Sequence, residues 1–145
     1  MKCFCMFRNP FPIIYVKDVA ACMEFYCRVL GFEHIRQWPA APESPSYVYL
    51  KLGEAALGLT QYEVAEEHVE KNILLNANKQ FELCLYTDNV DLMSERLELQ
   101  GAHMLVPPAT KPWGQRVAYF EDPEGNVIHL TGKVPETQAS VAAND

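Results

Sequence analysis

Hydrophobic and polar positions follow two rhythms along this chain. Pro12 to Lys17, "PIIYVK", is a run of β-branched and aromatic residues that predicts a strand. Asp18 then offers an N-cap, and Val19, Cys22, Met23, Tyr26, Val29 and Leu30 recur at helical spacing until Gly31 supplies a stop. Three short strand-like runs follow, Phe32 to Trp38, Ser46 to Leu52 and Ala55 to Gln61, the last two split by Gly53-Glu54. The order is β-α-β-β-β. Past a polar segment it returns: a strand at Phe81 to Thr87, an N-cap at Asn89, a helix to Gln100 stopped by Gly101, and a strand at His103 to Val106. A hairpin closes the set, its runs Arg116 to Phe120 and Asn126 to Thr131 joined by Asp122-Pro123-Glu124-Gly125, a sequence suited to a type I turn. Asp18-Val19 superposes on Asn89-Val90 with an offset of 71, and Gly31 on Gly101 with an offset of 70. We read this as an internal duplication with a shorter second helix.

The pattern divides the chain into an arm over residues 1–10, a first module over 11–61, a linker over 62–79, a second module over 80–132 and a loosely held tail over 133–145, one domain in all. The linker holds the run "EVAEEHVEK", which predicts a partly helical, solvated face. The fold class expected is α+β, two tandem modules building a curved mixed-sheet cup with helices on the outer face. Alternation assigns each strand a helix side and an open side. The helix side takes Ile14, Val16, Val48, Leu50, Leu52, Leu83 and Leu85. The open side takes Phe11, Ile13, Tyr15, Tyr47, Tyr49, Lys51, Glu82, Cys84 and Tyr86, and in the last strand His129 lies opposite Ile128 and Leu130. Many tyrosines with a few polar groups is the make-up of a small-molecule pocket.

Composition narrows the partners. With only 12 Lys and Arg in a chain of net charge −7, a basic patch for nucleic acid or an anionic membrane surface is not expected, and a cationic ligand is favoured. No run reaches the ~20 apolar residues of a membrane span, and "MKCFCMF" is too short for a signal peptide. The five cysteines form no CxxC pair, which suits reduced thiols in a cytoplasmic protein. Cys3-x-Cys5 has no second Cys/His pair beside it to complete a metal site. His34, His68 and His103 have no partner spacing and are expected at the surface or an edge.

Ile13 to Glu33, "IIYVKDVAACMEFYCRVLGFE", resembles the opening of the vicinal oxygen chelate superfamily, the glyoxalase, bleomycin-resistance and extradiol-dioxygenase group. "WGQRVAYFEDPEGNVIHL" is similar to its closing hairpin and, with "FELCLYTDNVD" between, the resemblance covers residues 11 to 131. It implies a divalent metal held by side chains from four strands and chelated by adjacent oxygens of a substrate. The first-strand ligand, usually His or Gln, falls on Phe11, and the fourth-strand ligand, usually Glu, on Gly58. The ligand opening the second module, usually His, falls on Glu82, and the last, usually Glu, on His129. Phe11 and Gly58 offer no side-chain donor, whereas a hard divalent ion wants about six donors. No cofactor is therefore expected. A divalent metal is the alternative, completed by Tyr15, Cys84 or Tyr86 or by a group lent by a partner subunit.

Glu82 and His129 are left as a carboxylate and imidazole pair that can bind a ligand or act as base and acid. Trp113, on a Gly-containing loop, can stack on a flat or cationic ligand, and Arg116 beside it can pair with an anion. The ligand-binding set expected is Phe11, Tyr15, Tyr47, Tyr49, Glu82, Cys84, Tyr86, Trp113, Arg116 and His129. The function expected is that of the metal-free bleomycin-resistance members: a homodimer that sequesters an aromatic or cationic compound, as in antibiotic resistance. The alternative is a glyoxalase-like or dioxygenase-like enzyme with a degenerate or subunit-shared metal site.

Overall fold

The structure is a computed structural model that describes residues 8–70 and 81–136, so Cys3-x-Cys5, residues 71–79 of the linker and the tail past Glu136 lie outside the described residues. The chain divides into two compact units, with the boundary between Ala77 and Asn78.

The first unit holds β1 (Ile13–Val16), α1 (Val19–Glu24), β2 (Glu33–Trp38), β3 (Tyr47–Leu52), β4 (Ala55–Gln61) and α2 (Tyr62–Val69). Its sheet order is β1-β4-β3-β2, with β1 parallel to β4 and the other pairs antiparallel. The second unit holds β5 (Glu82–Tyr86), α3 (Val90–Leu99), β6 (His103–Thr110), β7 (Gln115–Glu121) and β8 (Val127–Lys133), in the order β5-β8-β7-β6, with β5 parallel to β8. The fold is α+β, two β-α-β-β-β modules with mixed sheets, as the periodicities predict. The duplication extends to atomic detail. Asp18 Oδ1 accepts from Ala21 N–H at 3.0 Å, and Asn89 Oδ1 accepts from Leu92 N–H at 3.0 Å, so each helix opens on the same side-chain cap. In the sheets Ile13 faces Gly58 and Cys84 faces His129, both partners shifted by 71.

Each module's core lies between its helix and one sheet face. In the first, Ile14, Val16, Val48, Leu50, Leu57 and Leu59 are buried under Val19, Cys22, Tyr26 and Val29. The helix that begins at Val19 widens into a π-helical turn over Phe25–Val29 before Gly31, at φ +83°, reverses the chain. That turn buries Phe25 and Tyr26 side by side, with Tyr26 edge-on to both Phe25 and Phe32 at 5.5 and 5.6 Å. Leu52, expected on the helix side, is instead 37% exposed, because it ends β3 at the Gly53 turn where the helix no longer covers the sheet.

In the second module Val90, Leu97, Ala118, Phe120, Ile128 and Leu130 are buried between α3 and the sheet. β6 runs four residues further than its apolar pattern suggests, to Thr110. It carries Pro107 and Pro108 because it is the edge strand, with register shifts against β7. The β7–β8 turn has the expected form, Gly125 N–H donating to the Asp122 carbonyl at 3.0 Å. The buried Asp122 carboxylate fixes it further, accepting from the Glu124 and Asn126 amides and from the Asn126 side chain at 2.7–2.9 Å. Arg116 projects to the helix side and clamps α3, donating through Nε and Nη2 to the two Asp91 oxygens at 3.0 and 2.7 Å.

Two outcomes follow. A Cβ on Gly132 would stand 2.2 Å from the Thr87 carbonyl oxygen, a backbone atom that cannot rotate away. Gly132→Ala is therefore expected to cost about 1–3 kcal/mol as overpacking, read as a fall in the urea midpoint. The Arg116 hydrogen bond holds the Asp91 carboxyl below its ordinary value of 3.8. A lowered carboxylate stabilises the fold above that value, and the contribution drains away as pH falls through the lowered folded one. Asp91 is 44% exposed, so solvent screening limits the gain to about 1 kcal/mol or less. Asp91→Asn is expected to melt about 2–4 °C lower at neutral pH and to converge on the parent well below pH 3.8 in a thermal-melt series.

Candidate functional site

Register places the open-face residues of the second module on a grid. Across β5, β8, β7 and β6 one row reads Glu82, Val127, Glu121, His103, the next Cys84, His129, Tyr119, Val106, and the third Tyr86, Thr131, Val117, Ala109. The expected Glu82 and His129 pair forms here, Nδ1 to Oε1 at 3.0 Å, with the imidazole stacked on Tyr119 at 4.6 Å between centroids. A carboxylate only accepts, so Nδ1 donates, and a neutral ring then keeps its Nε2 lone pair. That Nε2 and the nearby Thr131 hydroxyl are both buried without a hydrogen-bond partner. Cys84 sits beside His129 across the ladder, its thiol pushed up by burial and then by the Glu82 charge, so it stays protonated at neutral pH. The exposed His103 has a partner that sequence spacing did not reveal, Glu121, reached across the β6–β7 ladder.

The first module's open face is aromatic. One row reads Ile13, Gly58, Tyr49, Arg36 and the next Tyr15, Thr60, Tyr47, Trp38. Phe11 packs edge-on to Tyr49 at 5.0 Å, and the Arg36 guanidinium stacks over the same ring at 4.3 Å. A Cβ at position 58 would meet Ile13 Cγ1 at 3.0 Å and Tyr47 Cε2 at 3.3 Å. Ile13 and Tyr47 thus pack closely over Gly58, and a side chain there would require them to give by a few tenths of an ångström. The four positions do not supply a divalent metal with its donor set: Phe11 packs as an aromatic ring, Gly58 has no side chain to donate, and Glu82 and His129 bond to each other. Among the described residues no group of three His, Cys, Asp or Glu side chains converges.

Two hollows border these faces. One, of about 390 Å³, lies in the first unit between the open face and α2, lined by Ile13, Tyr15, Trp38, Ser46, Tyr47, Thr60, Val64, Ala65, His68 and Val69. The other, of about 690 Å³, lies in the second unit beside Tyr86, Thr87, Asp88, Gly114, Gln115, Gly132 and Lys133 and has a single aromatic wall. Sequence reasoning placed α2 in a solvated linker because its glutamates dominate the run. Its other side carried the missed signal, the apolar Val64, Ala65 and Val69 with His68 among them, which together close the first hollow.

Trp113 is 65% exposed on the β6–β7 turn and lines neither hollow. Tyr86 is 81% exposed. Arg116, expected beside Trp113 to meet an anion, is committed to Asp91 and to the Thr110 hydroxyl on the opposite side of the sheet. Alternation explains the difference, because Val117 and Tyr119 take the open face and leave Arg116 with Ala118 on the other.

Among solved structures the chain is similar to a glyoxalase/bleomycin resistance protein/dioxygenase from Nocardioides, with a TM-score of 0.72, 20% identity, and 91% of this chain and 89% of that one covered. It is also similar to a family enzyme from Burkholderia phytofirmans PsJN at TM-score 0.70 and 24% identity, covering 84% and 95% of the two chains. A superfamily member from Sphaerobacter thermophilus DSM 20745 matches at TM-score 0.68 and 24% identity, covering 88% and 99%. At these identities the likeness is one of fold. No curated protein matches the chain. The family model described as Glyoxalase/Bleomycin resistance protein/Dioxygenase superfamily matches residues 9–130, and with that span, the paired modules and the closing hairpin in agreement, the chain belongs to this superfamily.

Proposed function

We propose that the protein is a small-molecule-binding member of the superfamily that works without a metal and takes up an aromatic or cationic compound on its aromatic open face, as an antibiotic-sequestering protein does. The observation that carries this reading is the fourth-strand position, a glycine over which aromatic and aliphatic side chains pack closely. Tyr47 and Ile13 occupy the space over Gly58, and the same Tyr47 with Tyr15 and Trp38 walls a hollow of about 390 Å³, within the range of small-molecule sites. Where a ligating group would stand, the first module has a stacking surface. The acidic balance of the chain adds long-range attraction for cations. Pairing with a second copy belongs to the same proposal.

One observation favours a second reading. With Nδ1 committed to Glu82 and Nε2 unpartnered, His129 is oriented as a metal-free general base would be. The carboxylate fixes the tautomer and stabilises the imidazolium that proton uptake creates. Its expected signature is turnover abolished by His129→Ala with the fold intact.

Purified without chelator, the protein is expected to carry far less than one equivalent of Ni, Zn, Mn or Fe by elemental analysis, and EDTA treatment should leave ligand binding unchanged. Titration with flat cationic dyes of the acridine type and with neutral naphthalene compounds should give a saturable change in tryptophan fluorescence. A stoichiometric metal, or a signal that never saturates for either class, would overturn the proposal.

A further inference from the structure

We infer that the hollow between the first module's open face and α2 is a site for a neutral, planar aromatic compound carrying one N–H or O–H donor, which His68 accepts. The inference rests on the binding reading above and narrows its ligand class. Ile13, Trp38 and Val69 surround the hollow and are 45%, 70% and 50% exposed. Large apolar side chains left in water around one concavity mark a surface that something apolar covers. Tyr15, Tyr47 and Trp38 stand in a single row across the sheet, with only the small Thr60 of β4 between the two tyrosines, which suits a flat partner.

Charge and hydrogen bonding refine the class. Among the described residues no Lys, Arg, Asp or Glu lines the hollow, since the glutamates of α2 stand outside its walls. An ion buried there would lose hydration without a counter-charge, so a neutral compound is preferred. Ser46 donates its hydroxyl to the Trp38 carbonyl at 3.2 Å, and Thr60 donates to the Ser46 carbonyl at 3.4 Å, so both of these donors are spent. His68 Nδ1 lies 2.7 Å from the Val64 carbonyl oxygen. A carbonyl only accepts, so Nδ1 carries the hydrogen, and in the neutral tautomer Nε2 is then an acceptor, on a residue that lines the hollow. The tyrosine hydroxyls can give or take a hydrogen bond, whereas this nitrogen can only take one. It sets the preference for a donor.

Isothermal titration calorimetry with 2-naphthol, 2-methoxynaphthalene and 2-naphthylmethylammonium tests the inference, because the three share a ring system and differ in donor and charge. The full-length protein is expected to bind 2-naphthol about fivefold to tenfold tighter than its methyl ether, the worth of one net hydrogen bond, and to bind the cation most weakly. His68→Phe should erase the preference for naphthol over the ether. His68→Gln, whose amide oxygen also accepts, should restore part of it, and Trp38→Ala should weaken all three. Saturable binding that ignores His68 and Trp38 would overturn this site while leaving the broader binding proposal standing. Absence of saturable binding by all three probes would overturn this site, and the broader proposal falls with it when the acridine dyes fail to saturate as well. A sedimenting dimer that Trp38→Lys splits, with no probe bound, would show instead that a second copy covers the hollow.

Discussion

In each module the first strand joins the sheet by parallel pairing with the last, β1 on β4 and β5 on β8. Parallel neighbours cannot be joined by a tight hairpin, so the chain has to leave the sheet and return. In both modules the helix directly after the first strand covers one face on that path, and the other face is left without backbone from its own β-α-β-β-β unit. The first module then closes part of its bare face with α2. The pairing also fixes which residues can meet. Glu82 reaches His129 only because β5 lies against β8 in the register that sets Cys84 opposite that histidine. One residue of slip would turn every open-face side chain into the core.

The elements were legible because their signals are local. Asp18 and Asn89 bond amides three residues away, the Asp-Pro-Glu-Gly turn closes on itself, and alternation in β1 and β8 places each side chain by parity alone. What the sequence hid depends on partners that are distant along the chain. Arg116 and Asp91 are 25 residues apart, and only the packing of α3 across β7 brings them together. His103 looked solitary because it lies on an edge strand whose bulges break simple counting to its carboxylate on the neighbouring β7. Gly58 was readable as a position without a donor, but the ring and methylene that fill its space become visible only through the β1–β4–β3 register. In α2 a glutamate-rich surface masked the small apolar stripe that makes it a wall.

The two halves of the duplication have solved one packing problem in opposite ways. Gly58 and His129 occupy equivalent positions, each facing the first strand of its module. Around Gly58 stand Ile13 and Tyr47. At the corresponding places around His129 stand Cys84 and Val117, both smaller. A large side chain on the last strand requires small neighbours and a glycine permits large ones, because close packing leaves little slack in either case. The same exchange separates the chemistry of the two faces. Bulk around Gly58 comes as aromatic surface, with Tyr49 held between Phe11 and Arg36. Bulk at position 129 comes as an imidazole, backed by Glu82 and flanked by the equivalent Tyr119. A side chain at position 58 would therefore press first on Ile13 and then on Tyr47, which also walls the hollow that the proposed compound occupies.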